Sequence, residues 1–464
     1  MAGSAAPIRG VKAPWRGISV GMVKAPEAKH RIVIVGGGAG GLPLAVQLGD
    51  KLARRGLAEV TLVDRDERHL WKPLLHEVAA GRMDADIHGV DYPVLAYWHH
   101  FVFRQGRVAS LDRARHTLTL DAVHDDDGTL MLPQRALRYD TLVICAGSVS
   151  NDFAVPGVAQ HAISLDTPHD AERFHRRLLA ACVRADAEAD AGHPVGVGIV
   201  IIGAGATGVE LAAEIRHTTG AHASYGLTHL EPAKDIRLTI LEAAPRILPQ
   251  LSERVADAAT GLLKDLRVEV HVAQRVTRID ASAVHTASGA SYPADLVVWS
   301  AGIKAPEWLT RLDGLETNRL NQLLVSTALQ TTRDPDIFAF GDCAACPWPE
   351  EGPKALVPPR AQAAHQQATL LVKSMQARLA GRALPQFRFR DFGSLVSLGE
   401  MSAVGSLMGR LVGGSLLIQG LIARWMYASL YKQHQIAILG YMRVALDTIA
   451  QFLRRQREPR VKLH

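Results

Sequence analysis

Two hexapeptides constrain this chain more than any other feature. Residues 36–41 read GGGAGG and residues 203–208 read GAGATG, and both fit G-x-G-x-x-G. Each follows a short apolar run, RIVIV at 31–35 and GIVII at 198–202, and each opens a helix-like segment. In a strand–turn–helix the first glycine makes the tight turn. The second lets a pyrophosphate approach the backbone, and the third lets helix and strand pack closely. The helix N-terminus then offers free N–H groups to the phosphates. Gly36, Gly38 and Gly41 take these places in the first copy; Gly203, Gly205 and Gly208 take them in the second. Two copies point to two dinucleotide sites, and a flavin held beside a nicotinamide nucleotide implies hydride traffic.

Each turn has a carboxylate at the end of the next strand. Asp64 closes EVTLVD, 28 residues after Gly36, against a usual gap of about 20. The charged stretch at 50–59 accounts for a longer helix and loop, with the helix running to about Arg55. Glu242 closes RLTILE, 39 residues after Gly203, so the polar segment 220–236 reads as an inserted loop. A carboxylate there attracts a free ribose 2′-hydroxyl and repels a 2′-phosphate, which favours NADH over NADPH.

Alternating strands and helices argue for doubly wound α/β domains. ADLVVWSAG at 294–302 echoes YDTLVICAG at 139–147, an internal repeat on the domain scale. A helical connector at 169–189 separates the halves, and DPDIFAFGDCA at 334–344 supplies a last strand and turn. Asp342 in that turn is placed either to meet the ribityl hydroxyls of a flavin or to cap a helix.

The expected division is an extension over 1–30, a first domain over 31–165 resumed at 306–395, a second domain over 166–305, and a membrane-association region over 396–464. The extension carries Arg9, Lys12, Arg16, Lys24 and Lys29 against Glu27, with no signal-peptide apolar core, and is expected to be disordered.

After residue 395 the apolar stretches 411–423 and 433–442 are short, and Arg410, Arg424 and Arg443 interrupt the region. Neither reaches the roughly 18–20 residues of a spanning helix. From Met442, Ala445, Leu446, Ile449, Phe452 and Leu453 recur at helical spacing, and Arg455, Arg457, Arg460 and Lys462 follow. An amphipathic helix with a basic tail reads as an interfacial membrane anchor, or alternatively as a docking helix or dimer interface.

The net charge of +6 fits anionic nucleotides or an acidic membrane. Nucleic acid is not an expected partner, because the basic residues concentrate at the termini without an aromatic–basic platform. Four cysteines, Cys145, Cys182, Cys343 and Cys346, form no disulfide framework. The Cys343-x-x-Cys346 pair does not complete a four-ligand zinc shell, so no metal site is expected.

The combined stretches resemble the bacterial type II NADH dehydrogenases, single-subunit NADH:quinone oxidoreductases that do not pump protons. IVIVGGGAGG, HLWKPLLHEVAAG at 69–81, GAGATGVELAAE, VVWSAGIKAP and DPDIFAFGDCA carry the likeness. VPPRAQAAHQQA at 357–368, FGSLVSLGEMSAVGSLMG at 392–409 and the later SLYKQHQIAILGY extend it. The resemblance implies a glutathione-reductase-like fold, with an NAD domain inserted in an FAD domain. It implies non-covalent FAD in the first site and NADH as substrate in the second, with Lys72, Gly147, Ala361 and Gly302 as further cofactor-binding residues.

It also implies hydride transfer from nicotinamide to flavin N5, then two-electron reduction of ubiquinone or menaquinone. The Ala361, Gln362 and Gln366 motif belongs near the quinone, and Glu210 near flavin and nicotinamide; Glu210, Gln362 and Gln366 are the candidates for catalysis. Glu210 is alternatively a holder of the nicotinamide ribose or of a helix end. Arg360 stands where many relatives carry a smaller residue. A homodimer docked peripherally on the cytoplasmic face of the inner membrane completes the expectation. The rivals are a sulfide:quinone oxidoreductase, which needs reactive cysteines, and a non-catalytic NADH-sensing membrane protein.

Overall fold

The computed structural model describes residues 29–191, 196–223, 229–397, 403–409, 414–419 and 421–454. Nearly all of the extension expected over 1–30, and the basic tail from 455, lie outside them.

Two parallel sheets carry the fold, and each is built on one glycine turn. The first runs in the order Gln330–Thr331, Asp334–Ala339, Thr141–Ile144, His30–Val35, Ala58–Asp64, Val102–Gln105. Its members are parallel except the edge strand Gln330–Thr331. The second runs Ala162–Ser164, Leu296–Trp299, Val197–Ile202, Ile236–Leu241, Val268–His271, all parallel. Thr141–Ile144 and Val197–Ile202 are buried along their whole length, as strands covered on both faces require. One core surrounds the first sheet; the second sheet has two, one on each face.

The sequence echo has a physical basis. Asp140 accepts the Arg31 N–H at 2.7 Å and returns its own N–H to the Arg31 carbonyl at 2.9 Å. Asp295 makes the same exchange with Gly198, at 2.7 and 2.8 Å. The repeated aspartate thus sets the register of the strand that enters each glycine turn. Arg31 adds a side-chain bond to Asp140 at 2.6 Å, which holds that carboxyl down to about 2.

The connections between units pair with each other, Val149–Ser150 antiparallel to Ile303–Lys304. Ala162–Ser164 already belongs to the second sheet, so that sheet begins before the expected division at 165/166. Helix Pro168–Asp190 covers the expected connector, and its first turn is held by Thr167, whose hydroxyl accepts the Asp170 N–H. The first-turn helix Gly41–Leu48 continues as a π-helical turn, Gly49–Ala53, rather than as α-helix to Arg55.

The region after 395 differs from a simple anchor. A three-stranded antiparallel sheet, Gly393–Ser397, Ala403–Gly409 and Gly414–Gln419, comes first. Helix Leu421–Leu439 packs on all three strands and on helix Gly41–Leu48. Much of the apolar sequence there is therefore spent on internal packing. On the last helix, Tyr441–Arg454, the residues Tyr441, Met442, Leu446 and Ile449 are exposed.

Candidate functional site

The first glycine turn is closed by contacts that leave one open place. A Cβ on Gly36 would lie 2.4 Å from the Cys145 carbonyl oxygen, and one on Gly41 would lie 1.9 Å from the Gly36 oxygen. A Cβ on Gly38 would meet nothing within 4 Å. The second turn repeats this: Gly203 is against Ala301, Gly208 is 2.1 Å from the Gly203 oxygen, and Gly205 is open. Two glycines per turn are fixed by the protein's own backbone, and the middle one faces free space. That is the cradle a pyrophosphate needs, so these residues fit FAD and NADH.

Both strand-end carboxylates brace their turns. Asp64 accepts the Gly37 N–H at 2.5 Å and the Asp66 N–H at 3.0 Å. Burial pushes its carboxyl up, and these two N–H groups oppose the rise. Glu242 accepts Ala204 N–H at 2.7 Å and Ala244 N–H at 2.8 Å. The longer spacing before Glu242 does not displace it. Segment 220–236 is not one inserted loop: helix Ala206–Ala223 extends into it, and helix Pro232–Asp235 leads into the strand.

Asp342 lies inside the short 3-10 turn Gly341–Cys343, whose cap position is Phe340, so it does not cap that helix. It is half-buried and accepts Ser148 Oγ at 2.8 Å. Burial pushes its carboxyl up, while the Ser148 hydroxyl and the charge of Lys72 pull it down. Lys72 Nζ donates to the Ser148 carbonyl at 2.8 Å and to Asp166 at 3.3 Å. A cavity of about 190 Å3 opens beside this group, lined by Ser148, Lys304, Gln322, Asp342 and Pro358 among others. Gly147 and Gly302 occupy matching turns after their strands, at φ +69° and +70°.

The three catalytic candidates all bond to residues 390–397, Glu210 and Gln362 at the two ends of strand Gly393–Ser397 and Gln366 just before it. Glu210, buried on helix Ala206–Ala223, accepts the Ser397 N–H at 2.9 Å. Gln362 donates to the Gly393 carbonyl at 3.2 Å and to Asp391 at 2.9 Å, and it accepts the Phe392 N–H at 3.2 Å. Gln366 exchanges both bonds with the Arg390 backbone, at 2.8 and 3.1 Å. Helix Ala361–Leu379 begins at Ala361 and presents both glutamines to this segment. Glu210 and Gln362 therefore hold opposite ends of Gly393–Ser397, about 13 Å apart along a strand of that length. Arg360 pairs with Asp391 at 2.9 Å, which draws its charge into the same cluster.

Several partners carried no sequence signal of their own. His76 places Nδ1 3.5 Å from Glu210, and burial pushes its imidazole down to about 4. Gln367 accepts the N–H of Gly341, next to Asp342, at 2.8 Å. Three imidazoles form a line: His69 Nε2 lies 2.8 Å from His434 Nε2, and His434 Nδ1 lies 3.1 Å from His365 Nε2. Burial pushes His69 down to about 4 and His434 down to about 2. His434 stacks on Trp71, which also stacks on Tyr431.

Residues 30–368 match the family model described as pyridine nucleotide-disulphide oxidoreductase. The type II NADH:quinone oxidoreductase of Haemophilus influenzae is 41% identical over 446 residues, 93% of this chain and 99% of that protein. Among solved structures, NDH2 from Plasmodium falciparum in complex with NADH superposes with a TM-score of 0.76 at 16% identity, covering 94% of this chain and all of that one. The sulfide:quinone oxidoreductase of Aquifex aeolicus reaches 0.66 at 17% identity over 89% and 92%, a likeness of fold. With the twin cradles, their bracing carboxylates and full-length identity to one relative, this chain belongs to the pyridine nucleotide-disulphide oxidoreductase family and, within it, to the type II NADH:quinone oxidoreductases.

Proposed function

We infer that the protein is an FAD-dependent NADH:quinone oxidoreductase. The observation that carries this is the pair of glycine turns, each closed at its first and third glycine by the protein's own backbone and open at Gly38 and Gly205. The first turn, with Asp64, Lys72, Gly147, Asp342, Ala361 and Gly302, is proposed to hold FAD non-covalently. The second, with Glu242, is proposed to hold NADH. FAD, when bound, supplies the hydride acceptor and passes the electron pair to the quinone.

The chain supplies orientation and charge. The N-termini of helices Gly41–Leu48 and Ala206–Ala223 offer N–H groups to the pyrophosphates. Glu242 presents a negative charge where a 2′-phosphate would sit. Quinone reduction consumes two protons, and Glu210 is the buried carboxylate proposed to hold or pass one, with His76 at its side. Gln362 and Gln366 are proposed to shape the quinone entrance by fixing segment 390–393.

The sulfide-oxidising rival needs reactive thiolates. All four cysteines are buried: Cys182 is pushed up to about 11, Cys343 and Cys346 to about 12, and Cys145 well above its usual value. That argues against the rival.

Among the described residues no helix is long and apolar enough to cross a membrane. Peripheral attachment at the cytoplasmic face of the inner membrane, through helix Tyr441–Arg454, is the proposed location. On that helix Tyr441, Met442, Leu446 and Ile449 are exposed. The homodimer implied by the family likeness is proposed as well, and sedimentation in detergent tests it.

The test of function is spectroscopic. The purified protein is expected to show a flavin band that NADH bleaches and a short-chain quinone restores. Absence of flavin, or bleaching by sulfide but not by NADH, overturns the reading.

A further inference from the structure

We infer that helix Tyr92–Trp98 of the first domain is a second lipid-docking element, entering an anionic membrane surface beside helix Tyr441–Arg454. The inference rests on the proposed membrane attachment of that last helix and adds a face on a different part of the fold.

The short helix is two-sided. Tyr92, Leu95 and Ala96 are buried, whereas Val94, Tyr97 and Trp98 are 52%, 78% and 53% exposed. Bulky apolar and aromatic side chains grouped in water mark an interaction surface. Tyr and Trp combine a wide apolar ring with one polar atom, which suits the boundary between headgroups and acyl chains.

The face is continuous with the C-terminal helix. The Arg443 guanidinium lies 4.7 Å above the Trp98 ring, and Tyr441 and Met442 beside it are the most exposed apolar residues of their helix. Arginine over an aromatic ring keeps its charge toward water or phosphate while its stem covers apolar surface.

Charge selects the occupant. Residues 454–462 hold Arg454, Arg455, Arg457, Arg460 and Lys462 against Glu458. A second copy would carry the same positive charge in sequence, whereas anionic phospholipid would neutralise it. The same helix also reaches the first glycine turn, because the Tyr92 hydroxyl donates to the Gly37 carbonyl at 2.9 Å. Seven helical residues span about 10 Å. Seating Trp98 in lipid thereby sets the height of the first cradle above the membrane.

The full chain, loaded with FAD, is mixed with phosphatidylglycerol vesicles whose acyl chains are brominated. Tryptophan fluorescence reports burial, and Trp98→Phe isolates one of the seven tryptophans. Part of the quenching is expected to vanish in Trp98→Phe. Val94→Ser/Tyr97→Ser/Trp98→Ser is expected to weaken vesicle partition about tenfold or more, with flavin content and short-chain quinone activity kept.

Unchanged quenching in Trp98→Phe, with binding lost in Leu446→Ser/Ile449→Ser, overturns this inference and leaves C-terminal attachment standing. Unchanged binding in both serine variants overturns both. A dimer-to-monomer change in the triple variant without altered partition assigns the face to a second copy and overturns the inference.

Discussion

His76 Nδ1 and Glu210 Oε2 stand 3.5 Å apart, with both side chains buried, on helices Leu75–Ala79 and Ala206–Ala223 that share one core. The imidazole is held neutral, because burial pushes it down to about 4. Ser397 of the C-terminal sheet donates to the other carboxylate oxygen. One carboxyl group thus ties three parts of the molecule together.

Replacing Glu210 with Gln keeps an acceptor for Ser397 and removes the titrating group. Flavin reduction by NADH is expected to stay near the wild-type rate. Quinone reduction is expected to slow about tenfold or more, a barrier change of about 1.4 kcal/mol, with an altered pH profile. Stopped-flow measurement of each half-reaction separates the two; wild-type rates in both would remove Glu210 from the mechanism.

Gly38 and Gly41 stand three residues apart and should respond oppositely. Gly41→Ala drives a methyl into the Gly36 carbonyl and is expected to cost on the order of 3 kcal/mol or more. Gly38→Ala points into open space, so the apoprotein should stay within about 0.5 kcal/mol of wild type. Its flavin content should nevertheless collapse. Thermal melts and flavin absorbance on the same preparations check the pair.

Glu242→Ala removes the charge expected to repel a 2′-phosphate and the acceptor for two backbone N–H groups. We expect the ratio of kcat/KM for NADPH over NADH to rise about tenfold, or about 1.4 kcal/mol. Stability should fall by about 1–3 kcal/mol, from N–H groups left unpaired. An unchanged nucleotide ratio would mean that Glu242 serves the turn alone.

The imidazole line predicts acid sensitivity. Unfolded histidines take up protons near pH 6.5, but folded His69 does so only near 4 and His434 near 2. Between about pH 6.5 and 4 the unfolded chain binds more protons, so stability falls as pH falls. The urea midpoint should be lower at pH 5 than at pH 7. His434→Gln should shrink that drop, with His76 still contributing. Equal drops in both proteins would show that the line does not govern acid stability.

Apolar runs and glycine spacing were enough to read the inner strands of both sheets, such as those at 31–35, 198–202 and 139–147, but not the edge strands Val102–Gln105, Gln330–Thr331, Ala162–Ser164 and Val268–His271. The echo at 294–302 exposed the repeat, and its aspartates do the same job in both halves. Glu242 stands at its strand end despite the long gap, and helix Ala206–Ala223 and helix Pro232–Asp235 take up part of the extra length. The Glu210–His76 and His69–His434–His365 contacts were invisible because they join residues 69 to 365 positions apart, and no local pattern encodes such pairings. The region after 395 was read as an anchor from the helical spacing beyond Met442; the antiparallel sheet that precedes it appears only once strand partners are known.

The paired strands Val149–Ser150 and Ile303–Lys304 place the entrance and exit of the second domain side by side. A whole nucleotide-binding fold is thereby hung from its host as if it were the tip of a hairpin. The first sheet meets only a short two-stranded stem, so it need not register what that stem carries. Loop-closure entropy grows slowly with length, and most of the insertion's own cost is met inside its own sheet. Two copies of one architecture therefore share a single chain, each sheet with apolar clusters of its own.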